Sequence, residues 1–179
     1  MHEVCSTVDA FGLPTRVLGV HDEAFYGAVR RVACLAAVVE DQLRTTLQTL
    51  RRSDQYSFAG TPAAQLIRML CKDLKARKGR AYEREKVKAY VDRAAAALLV
   101  RNEFLHSLWP AQQDGRLFCH RLAPDGSRVA EDVTAGEPTA LIGELADVVL
   151  GWNDVYAFVC SWTRDGVAGV SEPLTELAT

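Results

Sequence analysis

Four histidines, His2, His21, His106 and His120, are the side chains whose ordinary pKa lets them exchange a proton near neutral pH. Their settings separate them. His2 is terminal, His21 stands just before a helical pattern and reads as a surface or capping residue, and His120 lies in a short alternating run and reads as a solvent-facing strand residue. His106 differs, because it closes the string Arg101-Asn102-Glu103-Phe104-Leu105-His106 near the end of a long apolar helical pattern. Arg101, Asn102 and His106 are polar residues set among apolar neighbours. Asn102 and His106 are four apart and share a helix face. Arg101 precedes His106 by five residues, about 140° round the helix and ~7.5 Å along it, a gap that a long arginine side chain spans. All three can line one groove. The histidine moves protons, the arginine offers fixed charge and forked donors to an anion, and the asparagine orients the histidine or adds a donor. The bare Arg-x4-His spacing arises about 0.4 times by chance in a chain with 16 arginines and four histidines. It occurs a second time here, as Arg16-Val-Leu-Gly-Val-His21, in a Gly-containing segment that does not read as helix.

The elements that must position these residues follow from apolar spacing. From Asp22, a plausible N-cap, apolar residues recur every three or four positions (Phe25, Val29, Val32, Val39, Leu43, Leu47, Leu50), which predicts a helix ending near Ser53-Asp54. Gly60-Thr61-Pro62 predicts a second helix start, with Thr61 as cap and Pro62 in the first helical position, on a stripe of Leu66, Leu70 and Leu74. A third helix is predicted from Ala81-Tyr82 to Trp109, stopped by Pro110, with Val87, Val91, Ala94, Leu98, Leu105 and Trp109 inward. Two short runs around Pro124-Asp125-Gly126 predict a β-hairpin at about residues 116–133. The last helix is predicted to open at Pro138-Thr139 and to end at Asp165-Gly166. The expected architecture is all-α, a four- to five-helix bundle over residues 21–164 with one inserted β-hairpin, an N-terminal arm over residues 1–20 and a C-terminal tail over residues 165–179.

Composition narrows the classes. Hydrophobic residues make up 49% of the chain and charged residues 25%, enough apolar side chain for a sizeable core and against intrinsic disorder. The longest apolar runs, Val32 to Val39 and Ala94 to Val100, are far short of the ~20 residues that span a bilayer. The start of the chain shows no basic segment followed by an apolar one, so the expected location is cytoplasmic, with no membrane partner. Five cysteines (Cys5, Cys34, Cys71, Cys119, Cys160) are widely spaced with no CxxC pair, so neither a zinc site nor a disulfide framework is expected. No Gly-rich phosphate loop, GxSxG elbow or HExxH pair is present. The net charge of −2 hides an asymmetry: Lys72 to Lys88 holds eight basic and three acidic residues. Lys72, Lys75, Arg77, Lys78 and Arg80 in that stretch are candidate contacts for a phosphate-bearing partner; the plainer reading is a solvated helix face.

The string Arg101-Asn102-Glu103-Phe104-Leu105-His106 resembles the Arg-x4-6-His motif of the HEPN superfamily, in the form with Asn directly after Arg. The helical layout over roughly residues 22–163 is similar as well. The resemblance implies a small helical bundle that pairs as a homodimer through the motif helix and cleaves RNA without metal or other cofactor. It implies Arg101 and His106 as catalytic residues with Asn102 assisting, and 2′,3′-cyclic phosphate and 5′-hydroxyl products. The implied setting is bacterial defence or a toxin–antitoxin-like system, with an antitoxin or defence partner protein. Some toxin members carry a tyrosine two residues after the histidine, which a partner nucleotidyltransferase modifies; this chain has Leu108 there. A second reading keeps the bundle without catalysis, as a dimeric regulator or adaptor. Helical regulators resembling the mannitol operon repressor carry an Arg-Asn-x-Phe-Ala-His-like string, with Phe104 at the matching place and Leu105 where they have alanine. A third reading, a DNA-binding regulator, lacks a helix-turn-helix with a basic recognition helix.

Overall fold

A computed structural model describes residues 21–77, 80–107, 109, 117–122, 125–134 and 136–168. The expected arm over residues 1–20, the loop at 111–115, Lys78, Leu108 and the end of the tail from residue 169 lie outside these. The described chain is mostly helical, with four helices and one two-stranded antiparallel sheet, so the upper figure of five helices is not reached. It divides into two compact units, Met1–Ala37 with Ala96–Ala146, and Val38–Ala95 with Asp147–Thr179. Three helices, α1 (Glu23–Arg51), α3 (Ala81–His106) and α4 (Gly136–Ala168), each contribute a length to both units; α2 (Ala63–Ala76) belongs to the second.

In the first unit, Asp22 caps α1 as its residue type predicts, its carboxylate accepting the backbone N–H of Phe25 at 2.8 Å. Phe25, Val32 and Ala36 of α1 are buried, as are Ala97, Leu98 and Phe104 of α3 and Leu141 and Leu145 of α4. α3 stops at His106, three residues before the predicted end at Trp109. The indole N–H of Trp109 donates to the Phe104 carbonyl at 3.1 Å, so the ring folds back onto one of the last carbonyls that a helix leaves without partners. The hairpin pairs β1 (Leu117–Leu122) with β2 (Arg128–Val133), from Leu117 opposite Val133 to Leu122 opposite Arg128. Its turn is held by Asp125, which accepts from the Ser127 backbone N–H (2.9 Å) and hydroxyl (2.6 Å), and by Gly126 at φ 83°. α4 begins two residues before the predicted Pro138. The Glu137 carboxylate reaches back to the Thr134 N–H at 3.1 Å while the Glu137 N–H donates to the Thr134 carbonyl at 3.0 Å, and this turn starts the helix early. Pro138 is accommodated in the first turn, where its missing N–H costs nothing.

In the second unit, α1 ends at Arg51, short of the predicted Ser53-Asp54. The Ser53 N–H donates to the Gln48 carbonyl at 3.1 Å across Arg52, whose φ of 52° is the left-handed conformation of a helix C-terminal turn. Thr61 does not cap α2. Pro62 (φ −61°, ψ 146°) occupies the cap position, since its extended backbone places it just outside the helix, and its ring has no oxygen with which to make a capping bond. The stripe of Leu66, Leu70 and Leu74 is buried as its spacing predicts, with Leu43, Leu47, Val87, Val91 and Val159. A polar ladder runs through this core. The Tyr90 hydroxyl donates to the Gln42 side-chain oxygen (3.0 Å), the Gln42 amide to the Val149 carbonyl (3.1 Å), the Thr46 hydroxyl to the Gln42 carbonyl (2.7 Å) and the Trp152 indole N–H to the Thr46 hydroxyl (3.1 Å). Each buried donor in the ladder is satisfied, which makes the arrangement stabilising. α4 passes the predicted stop at Asp165-Gly166 and ends at Ala168.

Candidate functional site

Arg101, Asn102 and His106 all stand on the last turns of α3, in the first unit. Apolar neighbours fix their orientation: Phe104 is buried and Leu105 half-buried, which turns His106 outward as the exposed last residue of the helix. Asn102 is exposed and Arg101 half-buried. An Arg101 guanidinium N–H donates to the Asn102 side-chain oxygen at 2.8 Å, so these two adjacent residues form one polar unit. Leu99, Asn102, Glu103 and His106 recur at helical spacing on one side of α3. Leu99 is 62% exposed and Val100 49% exposed, so apolar surface adjoins the polar residues on the solvent side. Among the described residues, no three His, Cys, Asp or Glu side chains come together as a metal would require.

Beyond the helix end, residues that sequence spacing could not link come together. The His21 Nε2 lies 2.9 Å from the Trp109 carbonyl, although 88 positions separate them. The His21 ring stacks on Phe25 with centroids 4.3 Å apart. Phe25 in turn meets Trp109 edge-on at 5.3 Å and Phe104 at 6.3 Å, and Phe104 lies 5.1 Å from Trp109. The Ser107 hydroxyl donates to the Glu103 carbonyl at 2.5 Å. The sequence signal for His21 was only its place before an N-cap, which marks a surface or capping residue and carries no information about a distant turn.

The basic stretch belongs to the second unit, and the structure divides its residues by task. Lys72 and Lys75 are exposed on α2. Arg77 is half-buried; it donates to the Leu50 carbonyl at 2.6 Å, near the α1 terminus, and its guanidinium lies 5.7 Å from the centre of the Trp162 ring. Arg80, at φ 45°, donates to the Ser161 hydroxyl at 2.9 Å, and Arg84 donates to the Arg77 carbonyl at 3.1 Å. Arg52 donates to the Thr163 carbonyl. Arginines at helix C-termini satisfy orphan carbonyls and offset the negative end of the helix dipole, which accounts for part of the charge run without a ligand. Asp73 is held by Arg51 through two bonds, 2.7 and 3.0 Å.

No helix among the described residues is long and apolar enough to cross a membrane. No family model, curated protein or solved structure matches the chain.

Proposed function

We propose that this chain is a metal-independent endoribonuclease of the HEPN type, acting in the cytoplasm as a homodimer through α3, in bacterial defence or a toxin–antitoxin-like system with a partner protein. The observation that carries the reading is the exposure of His106 at the end of a helix whose other late residues pack inward, beside the paired Arg101 and Asn102. A histidine in the protomer core could not reach RNA; this one meets solvent. The exposed Leu99 and Val100 on the same stretch supply apolar surface for a second copy to cover.

The chemistry follows from the residue types. The ribose 2′-oxygen attacks phosphorus and gives up its proton, the bond from phosphorus to the 5′-oxygen breaks, and that oxygen takes a proton. The products are a 2′,3′-cyclic phosphate and a 5′-hydroxyl. His106 transfers one proton and His106 of the second copy the other, since one copy has a single motif histidine. Arg101 supplies positive charge and guanidinium donors to the phosphate as its negative charge grows, and Asn102 assists from its amide nitrogen. Lys72, Lys75 and Lys78 are the RNA-guiding residues of the basic stretch, with Arg77 and Arg80 as further contacts there.

The test is cleavage of total RNA and tRNA by purified wild-type and His106→Ala protein in excess EDTA, with analysis of the 3′ ends. Cyclic-phosphate ends from wild type alone are the expected result, with a loss on the order of 10²-fold or more in the variant. Absence of cleavage by both proteins overturns the reading. One observation favours the second reading, a non-catalytic dimeric regulator or adaptor: Arg77 and Arg80 are tied to Leu50 and Ser161, which removes donors that an RNA channel would need.

A further inference from the structure

The end of α3 is fastened from outside its own sequence. A helix leaves its last carbonyls without partners and frays there, and His106 has no helical residue after it to hold its backbone. Two local bonds draw the chain back: Ser107 to the Glu103 carbonyl and the Trp109 indole to the Phe104 carbonyl. Neither involves the Trp109 carbonyl. That carbonyl accepts from His21, and because a carbonyl only accepts, His21 carries its proton on Nε2 in this contact. His21 is itself firmly placed. It directly precedes the Asp22 cap of α1, and its ring rests on Phe25, which packs against both Phe104 and Trp109.

We infer that His21 is a positioning residue for His106: its N–H holds Trp109 in place, the Trp109 indole holds the Phe104 carbonyl in the last turn of α3, and that fastened turn fixes the direction in which the last helical residue presents its imidazole. The consequence for RNA cleavage rests on the ribonuclease reading above; the mechanical coupling does not. His21 thus acts through the Trp109 carbonyl, and its contribution is one hydrogen bond and one ring stack that can be removed separately.

The experiment uses the full chain with three substitutions. His21→Phe keeps a ring over Phe25 and removes the N–H. His21→Gln removes the ring and keeps an N–H at nearly the same reach. His21→Ala removes both. Two readouts are taken on each: the His106 ring cross-peak in a ¹H–¹³C NMR spectrum, assigned by its loss in His106→Ala, and the rate of RNA cleavage in EDTA. The expected result is a displaced, broadened His106 cross-peak in His21→Phe and His21→Ala, with the wild-type position regained in His21→Gln. Cleavage is expected to fall about tenfold in the first two and to stay within about twofold of wild type in the third, the scale of a single hydrogen bond. A His106 cross-peak unmoved in His21→Phe overturns the inference. So does a His21→Gln protein no better than His21→Phe, since the effect is then ring packing. If wild type leaves RNA intact while the cross-peak follows the expected pattern, the ribonuclease reading falls and the coupling of His21 to His106 stands.

Discussion

Arg101 and Asn102 are neighbours in sequence and partners in space, joined by one guanidinium N–H on the amide oxygen. That bond engages one Nη1 donor of the guanidinium fork. Lysine keeps the charge and loses the fork. Arg101→Lys is therefore expected to reduce RNA cleavage by more than tenfold while the far-UV circular dichroism stays that of wild type; unchanged cleavage assigns Arg101 no more than a charge. Tyr90 presents the opposite case, a side chain whose chemistry is suppressed. Burial pushes its hydroxyl well above the ordinary tyrosine value of 10.0, and it donates to Gln42 in the core. Above about pH 10 the unfolded chain gives up this proton and the folded chain keeps it, so the unfolded state binds fewer protons and stability falls. The stabilising contribution is complete below that pH and is lost above it, by up to ~1.4 kcal/mol per pH unit. The expected outcome is a urea midpoint that declines between pH 10 and 11 more steeply in wild type than in Tyr90→Phe, which has no proton to lose. Equal slopes in the two proteins contradict the assignment.

At the scale of elements, the helix interiors and the starts of α1 and α3 follow the sequence, and other helix ends do not. Leu66, Leu70 and Leu74 at spacings of four are buried, as Val32, Val39, Leu43 and Leu47 are on α1, because one face of a 3.6-residue period must leave water. The ends are decided by single side chains that reach back. The Trp109 indole ends α3 at His106 before Pro110 is met, and Glu137 starts α4 ahead of Pro138. Proline and capping propensities rank the candidates for a boundary, and a specific hydrogen bond selects one. Glu137→Ala removes the acceptor of the Thr134 N–H and an acidic side chain from the first turn of α4. The expected cost is about 0.5–1 kcal/mol, or roughly 2–4 °C in thermal midpoint for a chain of this size. An unchanged midpoint means the helix start is held by the Glu137 backbone bond alone.

For the molecule as a whole, the charge run and the apolar surface make different demands. Arg77 of the run binds the end of α1 and Arg80 the Ser161 side chain of α4 within the second unit, while the motif and the exposed Leu99 and Val100 lie in the first. If a second copy covers α3 through that apolar pair, Leu99→Asp places a charge in the contact. The expected outcome is a mass by light scattering near twice 19.7 kDa for wild type and near 19.7 kDa for the variant, with cleavage lost alongside. A monomeric wild type removes the shared-site mechanism.

The residue string from Arg101 to His106, the capped start of α1 at Asp22, the buried stripes and the hairpin around Asp125-Gly126 are all local patterns, and the sequence by itself determined them. Each depends on residues within a few positions of one another, where the period of a helix or the geometry of a turn acts directly. Tertiary structure alone decided the rest. The division into two units leaves no mark on α1, α3 and α4, whose apolar spacing runs unbroken through both. The bonds of Arg77 and Arg80 depend on where Leu50 and Ser161 arrive, and the bond from His21 to the Trp109 carbonyl joins residues 88 positions apart. Contacts of that kind depend on how elements pack, and a period read along one segment carries no information about which other segment will meet it.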